Sequence, residues 1–167
     1  VNRPNLDFRG FSGLIAGGFV LNNQLTDFTF VPTRDGRPVA NAPGPGKRPR
    51  SSMAPTVVFD RTGKPVLAVG SPGGTAIIGY VAEALVAMLD WGLDPQAAVN
   101  LPILINRNGA TQIESVPAAD DLVGALTAMG HQVKREAVNS GIHIIRVTPA
   151  GIQGGADPRR DGVAMGD

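Results

Sequence analysis

The sequence predicts a layered α+β domain, with helices covering a largely antiparallel sheet, and three patterns carry that expectation. Short apolar runs flanked by turn residues come in neighbouring pairs: Thr56–Phe59 with 66–69 around Asp60-Arg61-Thr62-Gly63, and 142–147 with 151–154. Such pairs read as hairpins. A long apolar stretch over 75–91 has helical length, and a second helical pattern runs over 118–129.

Taken in order, residues 14–21 form a continuous apolar run and read as a buried strand, from which the polar Asn22-Asn23-Gln24-Leu25-Thr26-Asp27 emerges. Residues 32–49 hold too many prolines and glycines for a helix or a central strand, so they form a loop. A loop of that length inside a compact domain is usually a lid or a binding loop, and here it separates two polar motifs. After the 56–69 hairpin comes Gly70-Ser71-Pro72-Gly73-Gly74, then the helix over 75–91. Ile77, Ile78, Val81, Leu85, Met88 and Leu89 all need cover, so this helix is expected to be sandwiched, with Tyr80 and Trp91 in the core. Gly92 stops it in the manner of a C′ glycine, and Asp94-Pro95 has the N-cap and N1 chemistry of a shorter helix. The 118–129 helix ends at Gly130, and 131–136 resumes extended structure.

Composition narrows the function. The chain has 167 residues, 43% of them hydrophobic and only 17% charged. Globular domains average about 25% charged residues, so part of this surface is expected to meet a partner. A formal charge of +1 argues against nucleic acid, and Lys47-Arg48-Pro49-Arg50 is too short a cluster to track a phosphate backbone. There is no cysteine, which removes disulfides and thiolate metal sites. No apolar run reaches the roughly 18 to 20 residues of a membrane span, because Glu83 and Asp90 interrupt the longest one. His131 and His143 lack a carboxylate or a second histidine at ligand spacing, so each is expected to be structural or solvent-facing, and no metal or cofactor is expected.

The chemistry concentrates at the glycine turn. Gly73 and Gly74 free backbone N–H groups to face a ligand, and the positive end of a helix dipole lies behind them. An oxyanion, a carboxylate or a phosphate would be stabilised there. A nucleotide cradle is the weaker reading, since no Lys-Ser/Thr follows and the Gly-x-Gly-x-x-Gly order is absent. Gln24 and Asp27, where the chain leaves a strand, suit a cation with several donors, or else form a polar turn bonded to local backbone. Ser51 and Ser52 offer hydroxyl donors to a carboxylate, or else a turn or cap.

The three motifs Leu21-Asn22-Asn23-Gln24-Leu25-Thr26-Asp27-Phe28, Gly46-Lys47-Arg48-Pro49-Arg50-Ser51-Ser52-Met53-Ala54-Pro55-Thr56 and Gly70-Ser71-Pro72-Gly73-Gly74, in this order, resemble the small, C-terminal subunit of gamma-glutamyltransferases. The likeness extends from about Asn5 to Asp157-Pro158-Arg159. It implies the four-layer αββα fold of N-terminal-nucleophile hydrolases, with residues 1–167 as the small-subunit portion of one domain and 30–50 as a lid or connecting loop. It implies a threonine nucleophile with a free amine, which would fall before Val1, and a large subunit from the same precursor as partner. By the same resemblance Gly73 and Gly74 form the oxyanion hole, Gln24, Asp27 and Asn5 hold the α-ammonium of the glutamyl donor, and Ser51 and Ser52 hold its α-carboxylate with an arginine of the large subunit.

The implied reaction passes a γ-glutamyl group from a glutathione-like amide, through an acyl-enzyme, to water, an amino acid or a peptide, without a cofactor, in a periplasmic or secreted setting. A related acylase with another acyl group and a non-catalytic anion-binding fragment are the alternatives. Asp157-Pro158-Arg159 is expected to form a buried ion pair that fixes the tail. No aromatic residue lies between Phe30 and Ser51, so an aromatic lid residue is not expected and access should be open.

Overall fold

The computed structural model describes residues 11–166, so Asn5 lies outside the described residues. The chain divides into two compact units, Val1–Ser51 and Ser52–Asp167. Each is described by itself.

In the first unit, β1 (Phe11–Ala16) and β2 (Phe19–Asn22) pair antiparallel. This corrects the single buried strand expected over 14–21. Gly17 and Gly18 sit in the apolar run with φ of +58° and +83°, the backbone that a two-residue hairpin turn demands at both positions. Leu14, Ile15, Phe19 and Leu21 are exposed within this chain. The polar motif that follows closes as a 3-10 turn, Gln24–Asp27. The Pro/Gly-rich segment is not wholly irregular, because β3 (Thr33–Arg34) and β4 (Arg37–Pro38) form a minimal ribbon around Asp35 and Gly36, at φ of +52° and +72°.

The second unit is built on a four-stranded antiparallel sheet in the order β11-β10-β6-β5, where β5 is Thr56–Phe59, β6 Pro65–Gly70, β10 His143–Thr148 and β11 Gly151–Ala156. The predicted hairpins are present, with β10 starting one residue later than expected and β11 running on to Ala156. Alternation sends Leu67, Val69 and Ile144 to one face, where they are buried with Ile77, Tyr80, Val81, Ala84 and Met88 of α1 (Ile77–Leu89). Truncating any of these large side chains to Ala costs about 2–5 kcal/mol. Val57, Phe59, Ile145, Val147 and Ile152 project from the other face and are exposed.

A 3-10 turn, Gly74–Ala76, precedes α1, so the helix is shorter at both ends than the 75–91 expected. It is covered on one side only: Ile78, Ala82, Val86 and Leu89 form an exposed apolar stripe. Trp91 is 61% exposed, which corrects its placement in the core, because it falls beyond the helix end that Gly92 closes at φ +70°. Tyr80 is buried as expected. Asp94 caps α2 (Pro95–Val99) by accepting the Ala97 N–H at 2.9 Å, worth about 1 kcal/mol. This helix lies hard on β11, where a side chain at Gly155 would come within 2.4 Å of the Pro95 carbonyl oxygen.

A second sheet of β7 (Leu104–Ile105), β8 (Thr111–Glu114) and β9 (Val133–Glu136) completes the unit. β8 and β9 are parallel, and α3 (Asp120–Ala128) makes the crossover. The 118–129 helix thus begins as a 3-10 turn, Pro117–Ala119, and the 131–136 strand starts at Val133.

Candidate active site

The turn after β6 has the features an anion site requires. Gly73 has φ +143° and Gly74 φ +57°, conformations that L side chains rarely adopt. Among the described residues nothing accepts a hydrogen bond from the N–H of either glycine, whereas their carbonyls start the following turn by accepting from Ala76 and Ile77. Two donors are therefore free at the start of a helix. The two glycines differ in a second respect. A Cβ at Gly73 would sit 2.5 Å from Tyr80 Cε2, whereas a Cβ at Gly74 would meet nothing within 4 Å. Gly73 is required for packing as well as conformation; Gly74 is required for conformation alone.

Sequence reasoning missed what holds this turn from behind. The Ser71 hydroxyl donates to the Pro72 carbonyl at 2.7 Å and accepts the Gly141 N–H at 3.2 Å. Gly141 is wedged between Pro72 and Arg160, where a Cβ would lie 2.8 and 2.7 Å from their side chains. The Arg160 guanidinium donates to the carbonyls of Ser140 and Asn139. Asp157, fully buried, accepts from the Ser140 hydroxyl at 2.5 Å, and from the Ile142 N–H, the Arg159 N–H and Arg159 Nη1 at 3.0 Å each. Burial alone would raise its carboxyl, but these four donors outweigh burial and hold it below the ordinary carboxylate value. The Arg159–Asp157 ion pair is as expected. Arg159 also pairs with buried Glu114 and donates to the carbonyls of Val99 and Leu101, so it joins the tail to α2 and β8.

Glu83 is a further residue that the sequence did not single out for chemistry. Its carboxylate accepts the Leu104 N–H at 3.2 Å, tying α1 to β7. Burial pushes it up to about 7, with Leu104 and Arg159 pulling the other way and Glu114 adding to the rise.

In the first unit, Gln24 and Asp27 stand three apart in a 3-10 turn, which puts them on one side of it. The structure divides this motif between the two readings. Asn22 Oδ1 accepts the Gln24 N–H at 3.0 Å and Thr26 Oγ1 donates to the Asn23 carbonyl at 2.8 Å, so those side chains build the turn. The Asp27 carboxylate is exposed and takes no hydrogen bond among the described residues. Asn41, deep in the Pro/Gly loop, donates from Nδ2 to the Asp27 carbonyl at 2.7 Å and accepts the Arg50 N–H at Oδ1 at 2.9 Å. One amide thus brings the backbone at Asp27 and the backbone next to Ser51 together. The unit boundary falls between Ser51, which is exposed, and Ser52, which is half-buried.

Neither histidine belongs to a cluster. His131 Nδ1 lies 3.3 Å from the Thr111 hydroxyl, and His143 Nδ1 lies 3.0 Å from the Gly141 carbonyl. Among the described residues no helix is long and apolar enough to cross a membrane.

The sequence profile of the gamma-glutamyltranspeptidase family matches residues 9–167. The chain is 36% identical to the glutathione hydrolase proenzyme of Bacillus subtilis strain 168 and 36% identical to that of Escherichia coli K12, in each case over 89% of its length. It spans only 25% and 27% of those relatives, about a quarter of each. The solved structure of gamma-glutamyltranspeptidase from Pseudomonas nitroreducens complexed with L-DON matches 99% of this chain and 92% of that one, at a TM-score of 0.78 and 29% identity. The fold class is therefore the C-terminal part of an N-terminal-nucleophile hydrolase fold, and the chain belongs to the gamma-glutamyltranspeptidase family.

Proposed function

We propose that this chain is the donor-binding and oxyanion-stabilising part of a γ-glutamyl hydrolase or transferase. The observation that supports this reading most is the pair of N–H groups at Gly73 and Gly74 that have no partner among the described residues, placed at a helix start on a turn braced by Ser71 and Gly141. An oxyanion forms only during attack on the amide carbonyl, so preorganised donors there lower the barrier without tightening the ground state. The exposed Asp27 carboxylate and Gln24 hold the donor's ammonium, with Asn5 contributing from the N-terminal segment, and Ser51 and Ser52 hold its carboxylate. The nucleophile is a threonine encoded upstream of Val1, and its ester with the γ-glutamyl group is resolved by water or by an amine.

The partner is a large subunit from the same precursor, and the whole chain belongs to one αββα domain in a periplasmic or secreted enzyme. A bare sheet face bearing Val57, Phe59, Ile145, Val147 and Ile152 supports that arrangement, because in a four-layer fold one sheet packs face to face on another. The test is donor turnover by the complete processed precursor, using a chromogenic γ-glutamyl anilide. Turnover abolished by replacing the upstream threonine with alanine supports the reading; turnover that survives this change contradicts it.

A further inference from the structure

A cavity of about 120 Å³ opens beside the start of α1, and its walls include Tyr80, Ile105, Arg107, Gln112, Glu136 and Asn139. An engineered apolar cavity of about 150 Å³ holds a benzene molecule, so this one has room for a carboxylate and a few more heavy atoms. Its chemistry favours negative charge. Tyr80 is only 6% exposed, yet its hydroxyl makes no hydrogen bond among the described residues. The ring is what is buried; the hydroxyl itself is not sealed from solvent, and it borders the open space of the cavity, where it can donate to a ligand. Arg107 donates to the Thr75 hydroxyl at 2.6 Å and to Gln112 Oε1 at 2.8 Å, and no acid pairs with it among the described residues. Glu136, the acid in the wall, is already held by the Lys134 ammonium and by Gln112 Nε2. Burial raises the Tyr80 phenol, with Asp157 adding to the rise and Arg107, Arg159 and Arg160 opposing it, so the hydroxyl stays a proton donor at the cavity.

We propose that this cavity is the carboxylate pocket for the acceptor, taking the α-carboxylate of the amino acid or peptide whose amine receives the acyl group. The proposal rests on the reading of Gly73 and Gly74 as oxyanion donors. The link between the two is the Tyr80 ring, which touches the Gly73 backbone position and also lines the cavity. In the transfer step the acceptor nitrogen forms an amide bond to the acyl carbon, the ester bond to the nucleophile's oxygen breaks, and one amine proton ends on that oxygen. Arg107 and the Tyr80 hydroxyl act on neither atom. They bind the other end of the acceptor and orient its amine, an advantage that water, having no carboxylate, does not share.

The test uses the complete processed enzyme with a γ-glutamyl anilide donor and two acceptors, glycylglycine and its C-terminal amide. The readout is the ratio of kcat/KM for the two acceptors, which does not depend on how much of a variant is correctly folded. The unaltered enzyme prefers glycylglycine. Tyr80→Phe and Arg107→Gln each lower the ratio, the second by about tenfold or more, as expected for losing a hydrogen bond to a charged group. A ratio near one in the unaltered enzyme, or a ratio unchanged in both variants, overturns the proposal while donor hydrolysis leaves the underlying reading standing. Absence of donor hydrolysis by the unaltered enzyme overturns that reading and the proposal with it.

Discussion

Gly73 and Gly74 stand side by side, yet alanine at each should fail in a different way. A Cβ at Gly73 lands 2.5 and 3.0 Å from two Tyr80 ring carbons, well inside the roughly 3.5–4.0 Å of carbon–carbon contact. The ring is part of the core and cannot swing away freely. Overpacking costs about 1–3 kcal/mol and the φ of +143° about 1–3 more, so Gly73→Ala should lose about 2–6 kcal/mol of stability. Gly74 has open space and a φ of +57°, the ordinary left-handed region, so Gly74→Ala should cost only about 1–2 kcal/mol. Its effect should appear in the chemistry. Removing an oxyanion donor costs about 100- to 1000-fold, and relaxation of a strained alanine that tilts the N–H should recover part of that loss, leaving acylation slower by about tenfold or more. Burst-phase acylation and thermal unfolding, measured on both variants of the complete enzyme, separate the cases. Unchanged acylation in a stable Gly74→Ala enzyme would remove that residue from the oxyanion site. Equal destabilisation by the two variants would refute the distinction drawn from the packing.

Other outcomes follow from the same geometry. Asp27→Asn should raise the donor KM by about ten- to a hundredfold with unfolding almost unchanged, because the carboxylate is exposed and takes no hydrogen bond among the described residues; an unaltered KM would make Asp27 a turn residue. Ser71→Ala, which removes the acceptor for the Gly141 N–H, should lower the acylation rate several-fold at constant donor KM, and Ser71→Thr should restore it; a fall in both variants alike would indicate packing rather than the hydroxyl. Glu83 gives a pH signature. Its folded carboxyl titrates near 7 against an ordinary 4.5, so between these values the native state binds more protons than the unfolded state, and stability falls as pH rises, by roughly 3 kcal/mol in all. Above about 7 this contribution is flat. Urea unfolding from pH 4.5 to 8 should show that slope, and Glu83→Gln should abolish it; equal slopes would contradict the burial argument.

Local chemistry was what the sequence made legible. Asp60 closes the β5–β6 hairpin through the N–H groups of Thr62 and Lys64, and Asp94 caps α2 through Ala97, each within four residues of itself. Boundaries failed where a local signal was hidden in an apolar pattern, as with Gly17-Gly18 inside the run over 14–21. The order of three polar motifs pointed to the candidate site, but the groups that hold it in shape were not visible. Gly141 reaches Ser71 across 70 residues, Arg159 reaches Glu114 across 45, and Tyr80 explains Gly73 only once the helix folds back over the turn. No spacing rule encodes such contacts. Trp91 was misplaced because apolarity alone does not say which side of a helix end its own chain covers.

The central claim is that this chain binds and polarises a γ-glutamyl amide for a threonine that begins the same polypeptide. Intact-mass measurement of the purified, processed protein, quenched within the first turnover of a γ-glutamyl anilide, tests it most directly. The account predicts two polypeptides, with a mass increment of one γ-glutamyl group on the one that contains residues 1–167 and begins with threonine, and a much smaller fraction carrying that increment in Gly74→Ala at the same time point. An unmodified polypeptide during active turnover, or an increment carried by the other polypeptide, would contradict it.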